Sequence, residues 1–206
     1  MNYHNITYPD MNNGDGLRVV LWLSGCSHHC YNCQNPQTWD ANSGIPFDES
    51  AKEELFRELD KDYISGLTLT GGDPLFESNL DGVLDLVTEI NKRYNFQKVD
   101  SANPCKIRVS EDKNTDKIRL LFPNKNIWLY SGYDYQKVMR QLPNLATKEH
   151  YNMYKRQQII KQCTVMVDGR YIDSQRNPSK KWAGSDNQRV ISIPESLKQR
   201  KVVTIG

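Results

Sequence analysis

Residues 17–33 read LRVVLWLSGCSHHCYNC. Leu17 to Ser24 is a short run rich in β-branched and aromatic residues that stops at Gly25, the pattern of a buried strand. Three cysteines, Cys26, Cys30 and Cys33, follow at once with gaps of three and two residues. So short a loop can curl with all three sulfurs pointing inward around one metal centre. Structural zinc needs a fourth ligand. His28 and His29 lie inside the loop, where reaching the same ion is strained, and a distant Cys105 or Cys163 remains open. A 4Fe-4S cube, by contrast, can be held by three thiolates with its fourth iron left for another ligand.

Outward from this stretch the chain alternates strands and helices. A helix is expected over about 50–60, opened by a capping box at Ser50 and Glu53. A strand is expected at Leu67–Thr70, stopped by Gly71-Gly72-Asp73-Pro74, then a helix opened by Ser78 or Asn79. Leu80, Val83, Leu84, Val87 and Ile90 give that helix one apolar face. Ile127–Ser131 reads as a strand stopped by Gly132, followed by helical segments at about 134–142 and 147–161. Thr164–Val167, Val190–Ile193 and Val202–Ile205 are further candidate strands, and 97–126 reads as an inserted hairpin. This order predicts an α/β domain with a mainly parallel sheet. Ligands of such sheets bind outside the carboxyl ends of the strands. The ends marked by Gly25-Cys26, Gly71-Gly72-Asp73 and Ser131-Gly132 should therefore open onto one rim.

At 206 residues one domain is expected. The net charge of +2 excludes polyanion binding by bulk charge, although residues 155–206 hold 11 basic and 4 acidic side chains. That basic end reads as a solvated face. Apolar runs are only a few residues long, against about 18 for a membrane span, and the first 16 residues lack the apolar core of a secretory signal. An intracellular location is the expectation. Five cysteines, three of them clustered, argue against a disulfide framework and for metal or cofactor chemistry.

The CSHHCYNC loop after a strand resembles the signature of the radical S-adenosylmethionine superfamily. Many members carry an aromatic residue directly before the third cysteine, where this chain has Asn32, with Tyr31 one place earlier. Gly66-Leu-Thr-Leu-Thr-Gly-Gly-Asp-Pro-Leu75 resembles the superfamily's strand and GGE/GGD element. Three stretches narrow the resemblance to activating proteins of anaerobic (class III) ribonucleotide reductases. They are Asn13–Arg18, Ile127–Tyr133, and Val167–Arg170 taken with Gly184-Ser-Asp-Asn-Gln-Arg189.

The resemblance implies a partial, open β/α barrel, since the chain is short for a full barrel of about 250 residues. It implies a 4Fe-4S cluster on Cys26, Cys30 and Cys33, with S-adenosyl-L-methionine at the open iron. One electron, commonly from flavodoxin, would cleave the sulfonium to methionine and a 5'-deoxyadenosyl radical, which takes a hydrogen atom from a glycine of the reductase. Asn32, Cys33 and Gln34 would flank the adenosylmethionine, Gly71, Gly72 and Asp73 would hold its methionine end, and Ser131 is a further contact candidate. Arg170, Asn187, Gln188 and Arg189 are candidates for a partner-facing rim. No side-chain acid, base or nucleophile is called for, because the cofactors carry the chemistry. His4, His28, His29 and His150 are assigned no role, and Cys105 and Cys163 read as small packing residues. Rival readings are an activase of another glycyl-radical enzyme, a small-molecule enzyme of the superfamily, and a zinc-stabilised nucleic-acid-binding module.

Overall fold

The protein is seen here as a computed structural model that describes residues 1–95, 125–142 and 146–205. Apart from Lys125 and Asn126, the hairpin expected at 97–126 lies outside the described residues, as does Cys105. The described strands are β1 (Asn2–Asp10), β2 (Leu17–Leu23), β3 (Ile45–Pro46), β4 (Ile64–Gly71), β5 (Asn126–Ser131), β6 (Val165–Asp168) and β7 (Arg189–Ser192). They form one mixed sheet in the order β3-β1-β2-β4-β5-β6-β7. Its centre, β2-β4-β5-β6, is parallel throughout, while β1, β3 and β7 add antiparallel margins. The parallel centre follows from helical crossovers: α1 (Glu49–Leu59) joins β2 to β4, and α4 (Lys148–Lys161) precedes β6. The other helices are α2 (Leu80–Ile90), α3 (Tyr135–Val138) and α5 (Ile193–Gln199).

Strand periodicity divides the side chains between two faces. Val19, Leu21, Leu23, Leu67, Leu69, Ile127, Leu129 and Met166 belong to the main core, shared with Leu55, Leu59, Val83, Val87, Ile90 and Ile159 from the helices. The intervening residues include Trp128, Val165 and Val167, which form a second, smaller cluster with Val190. Tyr130, Trp182 and Ala183 pack against its edge. This second face is the one that leaves room for a site.

Several expectations are corrected in detail. The first helix is capped by Asp48, whose carboxylate accepts from the Ala51 amide at 3.0 Å, while Ser50 is exposed in its first turn. Asp48→Ala should therefore cost about 1 kcal/mol and about 2–4 °C in thermal midpoint, with Ser50→Ala near neutral in a melting experiment. The segment expected over 134–142 is helical only at Tyr135–Val138. Pro143 disfavours helix at the residue before it, and the Gln157 amide donates instead to the Val138 and Arg140 carbonyls. Residues 202–205 contribute an isolated bridge, Thr204 to Ile191, in place of a strand. β7 runs directly into α5, which the sequence reading missed, and β1 and β3 were missed as well.

Candidate functional site

The carboxyl ends of the parallel strands surround an open cavity of about 430 Å³. Its lining includes Cys26, Cys30 and Cys33 after β2, Gly71, Gly72 and Asp73 after β4, and Ser131 and Gly132 after β5. The three strand ends thus share one rim. Gln34, Arg170 and Gln188 also line it, whereas Asn32, Asn187 and Arg189 do not.

Backbone hydrogen bonds build the cysteine loop. Gly25 N donates to Thr38 O at 2.7 Å and Cys26 N to Trp39 O at 3.0 Å, so the chain returning through 35–39 braces the start of the loop. Cys33 N donates to Cys30 O, and Asn35 N donates to Cys33 Sγ at 3.4 Å. His29 and Asn32 adopt left-handed backbone, at φ 46° and 55°, which curls the loop tightly. The thiols of Cys26, Cys30 and Cys33 are free and half-buried.

The glycine element is pinned to that loop. Gly72 N donates to Leu23 O at 2.7 Å and Asp73 N to Gly25 O at 2.8 Å. A Cβ on Gly72 would lie 2.6 Å from Gly25 O, so only glycine permits this approach. Asp73 is almost wholly buried and makes contacts the sequence did not suggest. Its Oδ1 accepts from Leu75 N at 2.8 Å, Oδ2 accepts from Gly132 N at 2.9 Å, and the Ser131 hydroxyl lies within 3.0 Å of both. His28, from inside the cysteine loop, places Nε2 2.8 Å from Oδ2.

The 184–189 segment is held by its own side chains. Gln188 Oε1 accepts from Gly184 N and Ser185 N, and its Nε2 donates to Gly169 O. Asn187 Nδ2 donates to Arg170 O, and Arg170 Nη2 donates to His28 O, tying this segment to the cysteine loop. Arg189 pairs with buried Asp168 and with Asp134, which joins β7 to β6 and α3 and leaves it little to offer a partner. The sequence reading also passed over Trp22, Tyr130 and Trp182, which line the cavity. The available signal was their strand parity: Trp22 and Tyr130 alternate with the core residues of β2 and β5.

Among the described residues no group of three or more His, Cys, Asp or Glu could hold a single metal ion. One zinc would require thiolates converging at about 2.3 Å from a point. A four-iron cube spreads its ligands over a wider cage, and three half-buried thiols on one loop at a cavity wall fit that demand. Burial, with lesser contributions from Asp73, Cys30 and Cys33, pushes the Cys26 thiol up to about 11. Cluster loading must therefore release its proton.

Cys163 behaves differently. It is buried in the main core, its thiol donates to Ile159 O, and burial pushes it from 9.0 up to about 12. The neutral thiol's contribution to stability is complete below about pH 9 and is lost as pH rises toward 12. Urea midpoints of the natural protein should therefore fall more between pH 8 and 10.5 than those of Cys163→Ala. Parallel declines would contradict this.

Comparison with known proteins agrees with the site. A family model described as a 4Fe-4S single cluster domain matches residues 12–104 and 113–191. The anaerobic ribonucleoside-triphosphate reductase-activating protein of Enterobacteria phage T4 is 35% identical over 198 residues, covering 96% of this chain and 97% of the phage protein. The proteins of the same name from Escherichia coli K12 and Vibrio cholerae are each 31% identical, covering 92% and 91% of this chain and 97% and 96% of their own lengths. With a cluster-domain match over most of its length and full-length relatives at this identity, the chain belongs to the anaerobic ribonucleoside-triphosphate reductase-activating protein family.

Proposed function

We propose that this protein is the radical S-adenosylmethionine activase of an anaerobic ribonucleotide reductase. The observation that carries the reading is the convergence of the three-cysteine loop and the glycine element on one cavity. Cys26, Cys30 and Cys33 hold a 4Fe-4S cluster and leave one iron for S-adenosyl-L-methionine. When bound, the pair supplies reductive cleavage of the sulfonium and a 5'-deoxyadenosyl radical, which makes a glycyl radical on the reductase.

The chain's own residues bind, orient and shield. Gly71 and Gly72 admit the methionine end against bare backbone, Cys33 and Gln34 flank it, and Ser131 positions the Asp73 carboxylate that faces its amino group. Trp22, Tyr130 and Trp182 give the cavity apolar surface that helps exclude water. Arg170, Asn187 and Gln188 form the rim nearest the reductase. Asn32 flanks the cofactor through its backbone, and Arg189 holds the rim segment in place from behind.

The sheet acts as a partial, open barrel, and its open side admits the reductase's glycine loop. Residues 1–206 work as a single radical S-adenosylmethionine domain, with 97–126 as an insertion. The electron donor is of the flavodoxin type and the setting is cytoplasmic. Among the described residues, no helix is long and apolar enough to cross a membrane.

The test is anoxic incubation of the reduced holoprotein with S-adenosylmethionine and an anaerobic reductase. A glycyl-radical EPR doublet on the reductase, with one 5'-deoxyadenosine formed per radical, is expected. Cofactor cleavage without any protein radical would overturn the reading.

A further inference from the structure

Asp73 has no acceptor capacity to spare. A carboxylate offers about four lone-pair positions. Four donors already meet this one: the amides of Leu75 and Gly132, the Ser131 hydroxyl and His28 Nε2. The carboxylate is only 2% exposed, so water cannot make up a deficit. An incoming amino group can therefore bind Asp73 only if one donor leaves.

Three of the four cannot leave cheaply. The Leu75 and Gly132 amides are backbone groups at the mouths of β4 and β5, and the Ser131 hydroxyl also accepts from Tyr133 N at 3.1 Å. His28 is the exception. Its side chain lines the cavity and is 13% exposed, so the ring has open space into which to turn. Its backbone stays anchored meanwhile, because the His28 carbonyl accepts from Arg170. The ring lies flush on Gly132, where a Cβ would fall 2.3 Å from Cδ2, and edge-on to Tyr133 at 4.9 Å. Turning the ring out would clear a space the size of an imidazole directly against the carboxylate.

We propose that His28 is an occupant of the amino-group subsite, holding Asp73 in the free protein and yielding it to the α-amino N–H of S-adenosylmethionine. The inference rests on the functional reading above and deepens it. His28 becomes a specificity-determining residue: an amino group must replace a hydrogen bond the imidazole already makes, whereas a ligand without one leaves the His28–Asp73 bond in place.

The test measures affinity by anoxic titration calorimetry of the cluster-loaded protein. The ligands are S-adenosylmethionine and its deaminated 2-oxo analogue. The quantity read is the ratio of their affinities. In His28→Ala the amino group no longer has to displace a donor, so the ratio favouring S-adenosylmethionine should rise about tenfold, the worth of one hydrogen bond to a charged group. His28→Gln keeps an N–H donor and should return the ratio toward the natural value. His28→Leu, which fills the space and offers no donor, is the second donor-less variant should His28→Ala load its cluster poorly, and the same tenfold rise is expected of it.

An unchanged or lowered ratio in the donor-less variants, with the natural protein binding S-adenosylmethionine normally, would overturn the inference while leaving the function intact. Failure of the natural holoprotein to bind S-adenosylmethionine at all would overturn the functional reading, and this inference with it.

Discussion

Cys30→Ala is expected to abolish cluster loading and adenosylmethionine cleavage while leaving the fold of the metal-free chain unchanged. The Cys30 side chain is half-buried at the cavity wall and belongs to neither hydrophobic cluster. Its removal therefore opens no core cavity, and the metal-free variant should melt within about 2 °C of the natural chain, as surface changes of this kind stay within about 0.5 kcal/mol. The loss of function should nonetheless be complete, since three thiolates are the fewest that hold the cube with one iron open. Cys163→Ala supplies the contrast. It should lose about 1 kcal/mol through core packing and keep its full complement of iron. Iron and sulfide analysis of both variants beside their melting curves checks the pair, and substantial iron in Cys30→Ala would contradict the ligand set.

Gly72→Ala is expected to damage both fold and site. The new methyl would lie 2.6 Å from Gly25 O and 3.0 Å from Gly25 N and Leu23 O, all backbone atoms that no rotamer change can move. Relief requires the ends of β2 and β4 to separate, breaking the Gly72–Leu23 and Asp73–Gly25 hydrogen bonds. A loss of about 3 kcal/mol follows, or about 6–12 °C in thermal midpoint. The same separation withdraws Asp73 from the cavity, so affinity for S-adenosylmethionine should fall by about tenfold or more, as one hydrogen bond to a charged group would demand. Scanning calorimetry and ligand titration read the two effects separately. A stable variant with unchanged affinity would show that the close approach is not needed.

The parts of the fold legible in sequence are those whose signal is local. β2 announces itself as an apolar run closed by Gly25, and α2 by apolar residues at helical spacing. β1 does not: only Tyr3 and Ile6 of its nine residues are buried, and the rest are polar enough to pass for a loop. β7 was visible but its end was not, because Ser192 leads straight into α5 without a turn. Pro194 in the first turn of α5 was the signal available.

The site divides in the same way. The cysteine spacing and the glycine pair are short motifs, readable because each fits within one loop. The His28–Asp73 contact spans 45 residues of chain, and nothing near either residue points to the other. Asp73 read alone is a free carboxylate awaiting a ligand; in the fold it is a saturated one. Arg189 likewise reads as a rim charge until Asp168 and Asp134 are brought beside it.

Low-temperature EPR of the anoxically reconstituted, dithionite-reduced protein, recorded with and without S-adenosylmethionine, tests the account most directly. The account predicts a reduced 4Fe-4S signal whose shape changes when the cofactor is added, because the fourth iron is open to it. Folded protein that carries stoichiometric zinc and no cluster signal, or a cluster signal indifferent to the cofactor, would contradict it.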